Sequence, residues 1–238
     1  MNITPPKAPK RQTILEAHSD KRIDNYFWLN ERDSPEVLAY LEAENAYFKQ
    51  QTQHTQALEE ALFQEMKGRI KEDDQSVPYK YNGYWYFSRF EQGKEYPIYL
   101  RQRDEERARE EVLFDVNQMA EGHKFYQFAE YSISPDNQWA SFSVDIRGRR
   151  MYSLFIKNLK TGEILPTEIK NTDGGSCWAN DSKTLFYTKI DPQTLRSYKV
   201  YRHQVGQTSP KDVLVFHEKD ETFNTGIFKS KSEQYLII

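Results

Sequence analysis

Apolar positions follow two different periods along this chain. Between residues 34 and 70 they recur every three or four positions, and from residue 79 onward they alternate or form short runs. Ser34, Pro35 and Glu36 read as cap, first position and first turn of a helix. Val37, Leu38, Leu41 and Phe48 then follow at helical steps, interrupted by Asn45, with Glu42 and Lys49 facing outward. Leu58, Leu62, Met66 and Ile70 recur every fourth residue and predict a second helix over 55–70, weakened near its end by Gly68. Two such helices cannot build a useful core alone. Their apolar faces need another surface, either elsewhere in the chain or on a further domain. Residues 1–25 read as an extended lead-in.

A polar hinge, Lys71-Glu72-Asp73-Asp74-Gln75-Ser76, separates the regimes. Tyr79-Lys80-Tyr81, Asn82-Gly83 and Tyr84-Trp85-Tyr86-Phe87 then form a strong hairpin signal, because Asn-Gly suits a type I′ turn. The phrase of strand, polar turn and strand returns around Asp136-Asn137, Asp181-Ser182 and Ser232-Glu233. Third strands follow the first three copies at Ile98-Tyr99-Leu100, Tyr152 to Ile156 and Lys199 to Arg202. The turn positions 82, 136, 181 and 232 lie 54, 45 and 51 residues apart. Such a period with short strands is the signature of β-propeller blades. The expected fold is therefore mainly β: an incomplete β-propeller of about three and a half blades over 73–238, preceded by an N-terminal helical extension over 1–72. The last residues, Tyr235-Leu236-Ile237-Ile238, read as a strand core without a turn or polar tail. The expectation is the front part of a longer protein.

Composition narrows the function classes. A net charge of −3 offers no electrostatic reason to expect nucleic acid or an anionic membrane as partner. Apolar residues make up only 37%, yet 16 Tyr, 14 Phe and 4 Trp supply enough aromatic bulk to argue against disorder and for β structure. Cys177 is the one cysteine, so neither an internal disulfide nor a cysteine-based metal site can form. Residues 1–11 lack the apolar stretch of a secretory signal, and no run of 18 apolar residues occurs. A reducing, cytoplasmic location is the simplest expectation.

The chemistry-bearing motifs are few. Gly174-Gly175-Ser176-Cys177-Trp178 is the string nearest to a G-x-S-x-G nucleophile elbow. It has Trp in place of the last Gly and precedes a strand, so Ser176 reads as non-catalytic. The histidines His18, His54, His123, His203 and His217 form no metal-binding pair and read as surface or packing residues. Cys177 reads as a small core residue. Glu72-Asp73-Asp74 lacks the ligand spacing of a calcium loop. The alternating charges from Arg101 to Glu111 read as an exposed loop. Arg147-Gly148-Arg149-Arg150 is a compact basic hairpin tip; if another domain packs there, Arg147, Arg149 and Arg150 are the candidate inter-domain contacts. No metal or organic cofactor is implied.

Several separated segments carry a family likeness. Asp24-Asn25-Tyr26-Phe27-Trp28-Leu29 and the stretch from Ser34 to Asn45 resemble the entry segment of the prolyl oligopeptidase family of serine peptidases. Asn82-Gly83-Tyr84-Trp85-Tyr86, Glu95-Tyr96-Pro97-Ile98-Tyr99, Trp178-Ala179-Asn180-Asp181-Ser182 and Glu218-Lys219-Asp220-Glu221-Thr222-Phe223 are similar to its oligopeptidase B branch (protease II). The likeness runs from about Arg22 to Ile238. It implies a seven-bladed propeller capping an α/β-hydrolase domain, with the N-terminal helices associated with that domain. It also implies cleavage of short peptides after Arg or Lys through a Ser-Asp-His triad and an oxyanion hole, with the propeller restricting substrate size. The triad and the acidic specificity residues of the family follow the propeller, so no catalytic residue is assigned to this chain. The chain alone is expected to be inactive, with the hydrolase domain and short basic peptides as its partners.

Two other readings remain open at this point. A prolyl-specific relative would cleave after proline, although Asn25 stands where such enzymes usually carry Pro. A catalytically inactive propeller piece acting as a binding module would form a soluble, cooperatively folding product.

Overall fold

The computed structural model describes residues 4–238. It divides into two units, one ending at Lys71 and one spanning Glu72–Ile238. In the first, the expected lead-in is instead a hairpin of β1 (Thr13–Ala17) and β2 (Asp20–Asp24), paired antiparallel with Ile14 opposite Ile23. His18 and Ser19 take left-handed φ of 52° and 65° at its tip. These residues carry the geometry of a primed turn without its usual Asn or Gly, which is why the sequence pattern did not announce it.

Trp28 sits in a short 3-10 turn and is buried, its indole Nε1 donating to the Pro9 carbonyl at 3.0 Å. Arg11 lies over the ring at 4.9 Å and pairs with Glu36. Helix α1 (Pro35–Gln51) begins at Ser34, whose hydroxyl makes no capping bond. Helix α2 (Gln56–Gly68) is shorter than the predicted 55–70. Of the predicted stripe only Val37 is buried; Leu38, Leu41, Phe48, Leu58, Leu62, Met66 and Ile70 are exposed.

In the second unit, β3 (Tyr79–Tyr81), β4 (Tyr84–Arg89), β5 (Ile98–Arg103) and β6 (Glu110–Asp115) form a four-stranded antiparallel sheet in sequence order. Asn82 and Gly83 make the predicted primed turn, with φ of 46° and 81°. Of the charged run expected as a loop, residues 104–109 do form the connection between β5 and β6, but its ends, Arg101 to Arg103 and Glu110 with Glu111, lie in those strands. Arg101 is only 4% exposed, donates to Glu111 at 2.7 Å and lies 4.2 Å from the centre of the Tyr84 ring. Charge alternation concealed a strand because Arg can bury its stem and stack its head on an aromatic face. The short helix α3 (Val116–Met119) follows, capped by the Asp115 carboxylate, which accepts from the Asn117 and Gln118 amides.

The next two repeats form one continuous antiparallel sheet of seven strands in sequence order. These are β7 (Gln127–Ile133), β8 (Trp139–Asp145), β9 (Tyr152–Asn158), β10 (Ile169–Trp178), β11 (Thr184–Ile190), β12 (Ser197–Gln204) and β13 (Val213–His217). Strand β10 belongs to both repeats. Its first half pairs with β9, Ile169 opposite Leu154, and its second half pairs with β11, Cys177 opposite Phe186. The register breaks between Thr172 and Ser176, where Gly174 has a φ of +103°. A fourth repeat opens with β14 (Phe228–Lys229) paired to β15 (Leu236–Ile237). This is the incomplete propeller that the repeat spacing predicts.

Blades pack face to face, so their strands bury both sides. In β8, Ala140, Phe142 and Val144 enter one cluster with Leu113, Phe114 and Tyr126. On its opposite face Ser141 is also buried, its Oγ 2.9 Å from Ser176 Oγ. A second cluster joins Leu154, Ile156 and Ile169 to Trp178, Leu185 and Tyr187. Rings set the spacing of the first cluster: Phe114 and Phe142 are 5.0 Å apart, Tyr99 and Phe128 5.1 Å. Each buried aromatic contributes roughly 1.5–3 kcal/mol from burial alone.

The four repeated turns touch one another. Asn82 Nδ2 donates to the Pro135 carbonyl at 2.6 Å, and Asn137 Nδ2 returns a bond to the Asn82 carbonyl at 3.1 Å. The Asp136 amide donates to Ser182 Oγ at 3.1 Å, and Asn180 Nδ2 to the Glu233 carbonyl at 2.9 Å. Asn82, Asn137, Ser182 and Glu233 all have positive φ, between 46° and 60°. The repeat is thus carried by an equivalent left-handed residue in each turn.

Candidate functional site

The basic hairpin tip between β8 and β9 is organised by one buried carboxylate. Asp145 is 1% exposed. Its Oδ1 accepts from the amides of Arg147 (2.8 Å) and Gly148 (3.1 Å), and its Oδ2 from the amide of Arg150 (2.7 Å). Successive amides turned inward make an anion-holding concavity, here filled by the protein's own carboxylate. Gly148 and Arg150 adopt left-handed φ of 72° and 55° to close the tip. The negative charge of Asp145 is spent on the backbone, and the guanidiniums of Arg147 and Arg150 are not among its partners.

Beside this tip lies a cleft of about 500 Å³. Phe142, Phe155 and Tyr126 contribute apolar wall, and Arg147, Arg149 and Lys170 bring positive charge. Phe142 and Phe155 stack at 5.5 Å. Glu168 also lines the cleft, but its carboxylate accepts from Ser153 Oγ at 2.7 Å and meets Lys170 Nζ at 3.3 Å. Of the basic patch singled out in the sequence, the fold brings Arg147 and Arg149 to this cleft, while Arg150 is exposed outside its lining. The cleft itself was not legible in the sequence, because its walls come from β8, β9, the loop before β10 and the segment around Tyr126.

A second polar feature lies where β7 meets the register break of β10. A Cβ placed on Gly175 would lie 3.6 Å from a Glu130 oxygen and 3.7 Å from an Asp173 oxygen. Burial raises the Glu130 carboxyl above its ordinary range, and the neighbouring Asp173 charge adds to the rise. Burial also raises Asp173, opposed by hydrogen bonds from the Gly175 amide, Thr188 and Ser197.

Neither Ser176 nor Cys177, the two candidates nearest to a nucleophile motif, is paired with a base. The Ser176 hydroxyl is engaged with Ser141. Cys177 is buried, and burial pushes its thiol up, away from the reactive thiolate. His203 Nδ1 lies 2.7 Å from Asp212 Oδ1, and Tyr187 donates to Asp212 Oδ2 at 2.8 Å. The pair resembles half of a catalytic triad, but it is enclosed in the sheet and His203 Nε2 contacts no hydrogen-bond partner. It ties β11 and β12 to the segment before β13. Among the described residues no group of three His, Cys, Asp or Glu side chains is placed to hold a metal ion, and no helix is long and apolar enough to cross a membrane.

The profile of the family described as "Prolyl oligopeptidase, N-terminal beta-propeller domain" matches residues 5–238. The chain is 38% identical over its whole length to dipeptidyl aminopeptidase BI of Pseudoxanthomonas mexicana, covering 35% of that protein. It is 33% identical over 94% of its length to protease 2 of Moraxella lacunata, covering 33% of that protein. Among solved structures, oligopeptidase B from Leishmania major superposes with a TM-score of 0.90 at 31% identity, over 98% of this chain and 35% of that one. Oligopeptidase B from Trypanosoma brucei gives 0.86 at 27% identity. The chain spans about a third of the length of the curated relatives it matches.

Proposed function

From the premise that this chain belongs to the prolyl oligopeptidase family of serine peptidases, we propose that it is the N-terminal propeller part of a serine oligopeptidase cleaving short peptides after Arg or Lys. The observation that carries this reading is the agreement over 98% of the chain with an oligopeptidase B structure at a TM-score of 0.90. The proposed chemistry is acyl transfer: a serine hydroxyl attacks the scissile carbonyl, a histidine takes its proton, and amide donors stabilise the oxyanion. These groups belong to a hydrolase domain outside this chain. There, carboxylates would select the basic side chain by charge-assisted hydrogen bonds. The propeller would admit short peptides and exclude folded proteins. Arg147, Arg149 and Arg150 are proposed to face the hydrolase domain, and a reducing cytoplasm is the proposed location.

A specific observation favours a second reading. The 38% identity over the whole chain is to a dipeptidyl aminopeptidase, whose name denotes release of dipeptides from a free amino terminus. The two readings separate on a pair of substrates tested with the longer protein that carries this chain. A peptide amide ending in Arg with a blocked amino terminus is cut by an endopeptidase but refused by an enzyme that requires a free terminus. Preference for the free dipeptidyl amide would establish the second reading, and cleavage of neither would sink both. The 238-residue chain alone is expected to cut neither.

A further inference from the structure

A second cleft lies where the first two blades meet, with a volume of about 530 Å³, in the range of small-molecule sites. Its walls come from β4, β5 and β6 on one side, and from the turn before β8, the end of β9 and the loop after it on the other. All of its lining residues belong to the unit Glu72–Ile238. Asn137 and Gln138, which line it, precede β8, whereas Arg147 follows β8. A strand of that length spans about 20 Å. The cleft thus opens at the end of the blades opposite the basic tip, and under the domain placement proposed above the hydrolase domain does not cover it.

Four cations line this cleft, Arg101, Arg103, Lys157 and Lys160, against two carboxylates, Glu111 and Asp136. Glu111 neutralises Arg101 at 2.7 Å. Asp136 accepts from the Ser134 hydroxyl at 2.6 Å and from the Gln138 amide at 3.1 Å. Outside the lining, Glu105 reaches Arg103 only at 3.9 Å with both side chains more than half exposed, so that pair contributes little. Lys157 meets no carboxylate among the described residues. Its Nζ donates to the Leu113 carbonyl at 2.6 Å and lies 5.1 Å from the centre of the Phe114 ring. Burial lowers this ammonium below its ordinary value, as expected of a desolvated charge without a counterion. The Lys160 side chain is exposed and unpaired among the described residues, in a loop fixed by Asn158 Oδ1, which accepts from the amides of Lys160 and Thr161 at 2.9 and 3.1 Å.

The excess of cations over carboxylates in the lining suits a compact dianion better than a single carboxylate, and lysine ammoniums serve phosphate oxygens as point charges. We propose that this cleft binds the phosphate group of a small phosphorylated molecule, held by Lys157 and Lys160 from the second blade and Arg103 from the first. Such a site makes no use of cleavage specificity, so its failure would leave both peptidase readings standing.

The test titrates phenyl phosphate into the longer protein that carries this chain, followed by ligand-observed NMR at low salt and about pH 7.5, where the phosphate is a dianion. Benzoate and phenol are the monovalent and neutral counterparts. Saturable binding of phenyl phosphate is expected, displaced by inorganic phosphate and tighter than that of benzoate. Lys157→Gln should weaken it about tenfold or more, since a hydrogen bond to a charged group contributes on that scale. Lys160→Glu, at an exposed position that does not endanger folding, should weaken it several-fold, and circular dichroism of each variant verifies its fold. Lys219→Glu makes the same change of net charge outside the lining and should leave the affinity unaltered. Equal affinity in the wild type and Lys160→Glu would overturn the site, as would an equal loss in Lys219→Glu. So would benzoate binding as tightly as phenyl phosphate, or no saturable binding of phenyl phosphate at all.

Discussion

The Tyr81 hydroxyl donates to the Glu233 carboxylate at 3.1 Å, joining the turn of the first blade to that of the fourth across 152 residues of sequence. Between them, the turns at Asn82, Asn137 and Ser182 are bonded in succession. Each turn therefore serves two purposes: it reverses its own hairpin and holds the next blade in place.

The Tyr81 contact predicts an alkaline weakness. Burial, then the Glu233 charge and the hydrogen bond to it, push the Tyr81 hydroxyl from 10.0 up to about 12. Burial does the same to Tyr126, also to about 12. The folded state holds these protons where the unfolded state releases them. Their stabilising contribution is therefore complete below pH 10 and lost as pH rises through about 12. Urea midpoints should fall over that window in step with tyrosinate absorbance, and less in Tyr81→Phe and Tyr126→Phe. An identical fall in the variants would assign the effect elsewhere.

Asn137 combines a φ of 60° with its bond to the Asn82 carbonyl. Asn137→Ala should cost about 1–2 kcal/mol, from left-handed strain plus a lost bond. Asn137→Gly relieves the strain and should cost less. Equilibrium unfolding of the pair separates backbone strain from hydrogen bonding, and equal losses would leave strain with no part.

The glycine pair in β10 should respond unequally to alanine. A Cβ on Gly174 would meet Ala129 Cβ and Tyr152 Cδ2 at 3.2 Å, at a φ of +103°. Gly174→Ala should cost about 1–3 kcal/mol. The nearest atoms to a Cβ on Gly175 lie at 3.6 Å, in ordinary contact, so Gly175→Ala should be much milder. Thermal unfolding ranks the two, and a larger loss at Gly175 would contradict the described bend.

Phe142 is 3% exposed and touches the rings of Phe114, Phe128 and Phe155. Phe142→Ala should destabilise by about 3–5 kcal/mol through lost burial and a cavity. Phe142→Leu should be distinctly milder. A loss under about 1 kcal/mol for the alanine variant would mean the blade interface is loosely packed there.

The blade repeat was readable from local chemistry alone. Asn82-Gly83 demands a primed turn, and the spacing of later polar turns carries the period, because each blade is a local meander whose strands pair with their sequence neighbours. The amphipathic patterns of α1 and α2 were equally visible, since helical period depends only on backbone geometry. Even so, the mostly exposed stripes show that pattern alone does not supply a partner surface.

Other features depended on residues far apart in sequence. Arg101 looked solvated in its charged run, and only the Tyr84 ring and Glu111 made its burial affordable. His203 acquired its partner when the segment before β13 brought Asp212 to 2.7 Å. The His18-Ser19 turn had no residue signature, because its left-handed backbone is imposed by pairing of β1 with β2. The basic tip was plain as a string, but not that Asp145 holds its amides while Arg147 is left beside an apolar cleft. Local propensity and period thus determined the blades and helices. Blade-against-blade packing decided which charges are buried, which are neutralised and which remain available to bind, because those outcomes depend on the dielectric and partners that distant segments provide.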